Sequence, residues 1–444
     1  MADELFLFND GKRVGTLEDG PRGWRLSYAA DWLNDPEAFP LSPHLALRAS
    51  PYDDAAEDGL VEKYFDNLLP EGDARRRLEH RLDASAGDTF DLLRRFGRET
   101  AGAITVSADP HALPQDERYR PLPAAELLTR IRRMRVEGGS LLEASRMSLA
   151  GAQDKLAVRT TPAADITPIA ELLEPVDQAP TTHILKPEPP RERRLKHVAV
   201  NEFFCMSLAH ALVGAPKPFL LHSADGHEPG GEREWAYAVT RFDRREAAGH
   251  VRRLHQIDFL QLRNEWATTA AKYEKSGGAK MALMFSLAAR YATAPAAALS
   301  ALLNLRVMNF LMCNADAHWK NHSLLWNRGR WDVSPPYDMM CTTAYGWLDA
   351  APALMIGGCE DETRITPEHF TAFHETCLAP HRVRIQALRL ALRNLGKAIA
   401  RDAPAQFERL APRVGDANAA FLRDEVLPRV LARAAQAAEM AGRI

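Results

Sequence analysis

The sequence predicts an α+β fold in which a small mixed lobe is followed by a larger helical one. Three observations carry this. Strand-like and helix-like stretches alternate through residue 253, apolar spacing is mostly helical from Leu254 onward, and a segment rich in proline and charge, ALPQDERYRPLPAAEL (112–127), sets off a first module. At 444 residues two or three domains are expected, and the division reads 1–120, 121–253 and 254–444.

In chain order, LFLFNDGKRVGTL (5–17) reads as two strands turning at Asp10-Gly11, residues that tolerate the positive φ of a tight hairpin. GLVEKYFDNLLPEGDARRRLEHRL (59–82) and TFDLLRRFG (89–97) carry helical spacing, and GAITVSADP (102–110) is a strand stopped by proline. KLAVRT (155–160), THILKPE (182–188) and WAYAVTRFDR (235–244) are strand-like, with one helix, LKHVAVNEFFCMSLAHALVG (195–214), before the last. Beyond Leu254 the clearest helices are MALMFSLAARYA (281–292), SALLNLRVMNFLMC (300–313) and RIQALRLALRNLGKAIAR (384–401). Thr366-Pro367 is an N-cap followed by proline at the first helical position.

Hydrophobic residues make up 46% and charged residues 26%, enough for large cores. Lys+Arg 56 against Asp+Glu 59 leaves a net charge of −3, which excludes a global basic field for direct nucleic-acid binding. Five cysteines (205, 313, 341, 359 and 377) form no CxxC pair and are odd in number, pointing to free thiols in a reducing compartment. There is no leader pattern and no run of about 18 apolar residues, so a cytoplasmic protein with no membrane partner is expected.

The densest chemistry lies in NADAHWKNHSLL (314–325). Asp316 and Asn321 stand as D-x-x-x-x-N after an apolar helix, SLLWN (323–327) and RWDVS (330–334) form a hairpin about Arg328-Gly329, and Asp338 follows. This is the order of a kinase catalytic loop and its metal-binding aspartate. A carboxylate beside an acceptor hydroxyl can take its proton, while a neutral amide and a second carboxylate offer hard oxygens to Mg²⁺. Alone the spacing is weak, because a solvated turn has the same composition. A zinc hydrolase built on Asp316, His318 and His322 is a rival that leaves the upstream residues unexplained.

Upstream, Ile184 and Lys186 fall on one strand face, His183 and Leu185 on the other. Val198, Glu202, Cys205 and Ala209 share a helical stripe in which Glu202 is the only charge. A carboxylate facing a core needs a partner, and Lys186 is the candidate. A position at the edge of the stripe, reaching solvent, fits the spacing equally well. SLAGAQDK (148–155) is a loop of small residues whose backbone N–H groups suit phosphate, and Thr240-Arg241-Phe242-Asp243 ends a strand where a kinase hinge would lie. Six features in kinase order outweigh any one of them.

Through FDNLLPEGDARRRL (65–78), FDLLRRFGRETAGAITV (90–106), MSLAGAQDKLAV (147–158), TTHILKPE (181–188), NEFFCMSLAHAL (201–212), TRFDRR (240–245), LHQIDFLQ (254–261), NADAHWKNHSLL (314–325) and SPPYDMM (334–340), the chain resembles the HipA family of serine/threonine-kinase toxins over nearly its whole length. The resemblance implies a kinase-like bilobal fold with an N-terminal α/β subdomain, a mixed small lobe and an all-helical large lobe. It implies protein phosphorylation dependent on ATP and Mg²⁺. Carried over residue by residue, it makes Asp316 the catalytic base, places Asn321 and Asp338 on Mg²⁺, and sets Lys186 on the ATP phosphates with Glu202 supporting it. It gives Ala150, Gly151, Ala152, Gln153, Asp154 and Lys155 to the phosphate-binding loop, Thr240 and Phe242 to the adenine-contacting segment, and Lys320 to the γ-phosphate. His318 is expected to hold the loop beside the nucleotide, and Ser148 matches the serine whose autophosphorylation switches these kinases off. The implied target is an aminoacyl-tRNA synthetase, the glutamyl enzyme first. The implied partners are a HipB-like helix-turn-helix antitoxin and, through it, operator DNA on the nucleoid. The chain departs from the family's pattern at Thr240, at the Pro187-Glu188 step after the lysine, and at Trp319. A silent pseudokinase acting as corepressor is the alternative, and the intact Lys186, Asp316, Asn321 and Asp338 count against it.

Overall fold

The computed structural model describes residues 3–81, 88–112, 117–137, 154–170, 172–189, 195–224, 233–247, 249–348 and 350–444. Its first hairpin forms as the turn residues dictate: Asp3–Asn9 and Lys12–Gly20 pair antiparallel about Asp10 and Gly11, at φ 42° and 83°. They join Gly23–Tyr28, Tyr52–Asp53 and Thr105–Ser107 in a five-stranded antiparallel sheet with Thr105–Ser107 beside Asp3–Asn9 at one edge. Leu5, Leu17 and Leu26 from its inner face share a core with Phe65 and Leu93 of the helices Leu60–Asp66 and Thr89–Phe96. The stretch expected as one helix over 59–82 is two, Leu60–Asp66 and Gly72–Arg81. Pro70 lacks the N–H that would continue the first, and Gly72 takes a left-handed φ of 53°.

A second five-stranded sheet forms the small lobe, in the order Leu156–Val158, His183–Pro187, Trp235–Thr240, Pro218–His222, Ile166–Pro168. One face packs on the helix Val198–Val213, with Phe203, Phe204 and Leu220 in a core that runs on into the large lobe. The other face packs on a helix the sequence reading assigned partly to a connection, Ala124–Glu137. Pro121 and Pro123 obscured its start, yet Leu127, Ile131 and Met134 recur at helical spacing and bury against Leu156, Leu185 and Ala238.

The large lobe is built on Lys280–Tyr291, Pro295–Leu311, Ile385–Leu410 and Leu427–Arg443. Thr366 and Pro367 open Pro367–Phe373 with a capping box. The lobe is not wholly helical: Gln256–Asp258, Ser323–Asn327 and Arg330–Val333 make a three-stranded sheet, turning at Arg328 and Gly329 with φ 49° and 80°. The helix Pro295–Leu311 leads into the loop rich in Asp, Asn and His, and that sheet takes up its other end. All five cysteines are buried free thiols. Among the described residues no helix is long and apolar enough to cross a membrane.

Candidate active site

The lysine strand, His183–Pro187, lies between two neighbours, with Lys186 opposite Tyr237 and Leu185 opposite Leu156. Strand alternation then does what the sequence predicts. Ile184 and Lys186 face a cavity of about 310 Å³ between the lobes, while Leu185 enters the core on the far side. Lys186 Nζ donates to Glu202 Oε1 at 2.7 Å, so the lone charge of the helical stripe is buried and paired. Glu188 holds the two elements in register: its carboxylate accepts from the N–H groups of Val198 and Ala199, both at 2.9 Å, at the positive end of the helix. The Pro187-Glu188 step that departs from the family's pattern therefore ties the lysine strand to the glutamate helix.

The catalytic-type loop is organised by its own side chains. Asn314 Oδ1 accepts from Asp316 N at 3.2 Å, and Thr342 Oγ1 accepts from Ala315 N at 2.8 Å. Asn321, in a single 3-10 turn, donates Nδ2 to the Asp316 carbonyl at 3.1 Å, which leaves its Oδ1 as the free end of the amide. Asp316 is exposed, and both Asp316 and Asn321 line the cavity. Asp338 reaches it from the next segment with a left-handed φ of 58°. Tyr337 anchors that segment by donating to the Lys320 carbonyl at 2.7 Å. Asn201, next to Glu202, clamps it further by donating to the Cys341 carbonyl at 3.0 Å and accepting from Cys341 N at 2.9 Å.

Lys186 also forms an ion pair with Asp338, so one ammonium serves two carboxylates. Burial pushes Glu202 up to about 7 against the pull of Lys186, and the charge of Asp338 adds to that push. Asp338 goes the other way. Burial opposes its charge, but Lys186 and then Lys155 hold it well below the usual carboxylate range. The split follows the neighbouring charges, since two lysines act on Asp338 whereas the Asp338 carboxylate itself bears on Glu202. Lys155, at the start of Leu156–Val158, lines the same cavity and is lowered to about 8 by burial and then by Lys186. The donors fit a hard divalent cation: the Asn321 amide oxygen and the Asp338 carboxylate are oxygen ligands, too few for a cage unless phosphate oxygens complete it. Among the described residues no group of three His, Cys, Asp or Glu side chains is placed to hold a metal. The zinc arrangement expected as a rival is thus not assembled: His322 is buried, its Nδ1 paired with the His318 carbonyl at 2.9 Å.

Thr240 and Phe242 line the cavity at the end of Trp235–Thr240, Phe242 stacked on Tyr337 at 5.2 Å between centroids. His318 lines it as well, with Nδ1 buried and without a hydrogen-bond partner among the described residues. Asp154 is buried in the segment that leads into the cavity. Ser148, Ala150, Gly151, Ala152 and Gln153 lie outside the described residues. Lys320 lines the cavity too, yet its ammonium is engaged away from the expected γ-phosphate contact. Its ammonium is buried and donates to Asp258 Oδ2 at 2.6 Å and to the carbonyl and Oδ1 of Asn67, both at 2.9 Å. Three protons are committed to three acceptors, so this lysine fastens the N-terminal subdomain to the large lobe. Trp319 is fully buried beneath the loop, edge-on to Phe259 and under the Arg263 guanidinium, and does not face an acceptor.

Sequence reasoning missed two features. Tyr273 donates its hydroxyl to Asp316 Oδ1 at 2.7 Å, and a tyrosine in AKYEKSGG carries no spacing signal that would have singled it out. Behind the hinge, Glu99 accepts from Arg241 and Arg244 at Oε1 and from Arg253 at Oε2, each at 2.8 Å. Asp243 pairs with Arg241 at 2.7 Å and accepts from Gly102 N at 2.7 Å. The composition of TRFDRR hinted at a charge cluster, but its central carboxylate comes from the N-terminal subdomain.

Two family models match the chain, the HipA N-terminal domain over residues 6–107 and the HipA-like C-terminal domain over residues 147–406. The Sinorhizobium fredii protein Y4mE is 32% identical over 369 residues, covering 80% of either chain. The serine/threonine-protein kinase toxin HipA of Shewanella oneidensis is 29% identical over 390 residues, covering 84% of this chain and 83% of its own. A solved complex of Shewanella oneidensis HipA with HipB and its operator DNA contains a chain that superposes with a TM-score of 0.77 at 26% identity, over 99% of both chains.

Proposed function

The chain belongs to the HipA family and is a protein kinase, and from that premise we propose how its cavity works and what it serves. The protein transfers the γ-phosphoryl group of ATP to a serine or threonine hydroxyl of a target protein. Asp316 takes the acceptor's proton, Lys186 and Lys155 meet the phosphates, and Ile184, Val239, Thr240 and Phe242 flank the base. Asn321 and Asp338 would hold Mg²⁺, which offsets charge on the phosphates when bound. One observation carries this reading: Lys186 bridges Glu202 and Asp338 in the wall of a cavity that also receives Asp316 and Asn321.

The biological reading rests on family membership. The kinase is the toxin of a toxin–antitoxin pair that halts translation by phosphorylating an aminoacyl-tRNA synthetase, the glutamyl enzyme first. Autophosphorylation of Ser148 silences it, because roughly two negative charges in the phosphate-binding loop oppose nucleotide. A HipB-like antitoxin holds it on operator DNA in the cytoplasm. The net charge of −3 suits contact with DNA through such a partner. Incubation with Mg²⁺ and labelled ATP, followed by mass spectrometry and a screen of tRNA synthetases, tests all of this. Label is expected on Ser148 and on a synthetase, and absent with Asp316→Asn. Transfer that survives Asp316→Asn, or no ATP turnover from unphosphorylated protein, would sink the mechanism and favour the silent corepressor.

A further inference from the structure

Tyr273 makes a contact in the cavity that no assigned role requires. Its hydroxyl donates to Asp316 Oδ1 at 2.7 Å, and its ring stands edge-on to His318, 5.4 Å between centroids at 83°. The backbone beneath it is fixed. Thr268 caps the short helix Thr269–Lys272, accepting from Ala271 N at 3.2 Å. Lys280 Nζ donates to the Tyr273 carbonyl at 2.8 Å, and Glu274 accepts from Lys280 N at 2.6 Å and from Met355 N at 2.8 Å. A side chain on so firm a base has its own χ rotations as the cheapest way to move.

In phosphoryl transfer the acceptor hydroxyl must set its O–H on the carboxylate that takes its proton, at about 2.6–3.2 Å. Here a hydroxyl already sits there. It competes with any incoming acceptor for the same oxygen, and it denies that oxygen to water, the commonest wasteful acceptor. Burial, and then the charge of Asp316, push the phenol above the ordinary tyrosine range, so it stays protonated and remains a donor.

We propose that Tyr273 gates the acceptor site: in the resting enzyme its hydroxyl takes the place of the substrate hydroxyl on Asp316 Oδ1, keeps water from that oxygen, and swings aside when a protein serine or threonine docks. The proposal rests on Asp316 being the base. Tyr273 is then a specificity-determining residue that acts against water and small hydroxyl compounds, and the protein target must bring enough binding energy to displace it.

The test compares full-length wild type, Tyr273→Phe, Tyr273→Met and Asp316→Asn, each checked for cooperative melting. ATP hydrolysis is followed with no protein acceptor, and phosphorylation is followed with dephosphorylated casein as a generic serine/threonine acceptor. Losing a hydrogen bond to a charged group should raise hydrolysis about tenfold in both Tyr273 variants and lower the KM for casein, with the KM for ATP unchanged. Hydrolysis and casein phosphorylation falling together would overturn the gate and make Tyr273 an aligner of Asp316. Phosphate found on Tyr273 of the wild type would overturn it too, since the residue would then be an acceptor. The Asp316→Asn arm separates the two ideas: if it retains transfer, the base assignment fails, whereas its silence beside unchanged Tyr273 variants rejects the gate alone.

Discussion

Around Lys186 one ammonium serves two carboxylates in a cavity wall, whereas around Glu99 one carboxylate is enclosed by three arginines. Both clusters flank the hinge, yet their buried glutamates titrate in opposite senses. Burial opposes the charge of Glu99, but Arg244, Arg253 and Arg241 hold it well below the usual carboxylate range. Glu202 is instead pushed up to about 7 and Lys155 down to about 8, burial being the larger cause in each. Thr181 also donates to Glu99 at 2.7 Å, and Arg241 donates to the Thr100 carbonyl at 2.8 Å. The Lys186 cluster holds charges at a cost in the wall of an open cavity, the arrangement expected where a ligand supplies the missing countercharge. Depth of burial therefore does not separate scaffold from site here; the two glutamates do, Glu99 held down by its arginines and Glu202 pushed up by its burial.

The sharpest way to break this contrast is to remove one carboxylate from either cluster. Glu99→Ala leaves three buried guanidinium groups short of a partner and should cost about 3–5 kcal/mol, a large share of a domain's stability. Glu202→Gln removes a carboxylate that already pays for its burial, so chemical denaturation should show a change of about 1 kcal/mol or less. Phosphoryl transfer by Glu202→Gln should nevertheless fall about 10- to 100-fold, because Lys186 loses the partner that aims it. Equal losses of stability in the two variants would end the distinction.

A smaller effect is expected at Lys320, where sequence and structure disagree. Lys320→Met strips Asp258 of its ammonium and should cost about 3 kcal/mol, while nucleotide affinity of the folded variant, read by calorimetry, stays within about twofold. A large loss of affinity without loss of stability would restore the γ-phosphate role. The disagreement has a physical source. Pairings set by local periodicity were legible: Ile184 and Lys186 share a face, Glu202 sits in an apolar stripe, and Asp10-Gly11 and Arg328-Gly329 turn their hairpins. The direction of Lys320 depends on Asn67, 253 residues away, and the Glu99 cluster joins residues 142 to 154 apart. No spacing rule spans such distances, so the sequence reading named Lys320 as a residue of interest and gave its ammonium the wrong neighbour.

The smallest effect separates the clusters by pH. His183, His255 and His322 are buried and lowered to about 4, burial being the first cause in each. His255 stacks on Phe39 at 4.4 Å and bonds the Leu41 carbonyl at 2.8 Å, joining the N-terminal subdomain to the three-stranded sheet. A folded-state value below the unfolded one, about 6.5, means the unfolded chain binds protons first, so this stability is present above pH 6.5 and drains as pH falls toward 4. Glu202 has the opposite sign. Its raised value gives stability that is full below about 4.5, the unfolded value, and lost as pH rises through 7. The two slopes oppose each other across one window. Melting at pH 7 and 5.5 should show His255→Gln flattening the acid limb by about 1 kcal/mol and Glu202→Gln steepening it by a similar amount. If Glu202→Gln leaves the limb unaltered, Glu202 is ionised at neutral pH as firmly as Glu99, and the two clusters are of one kind.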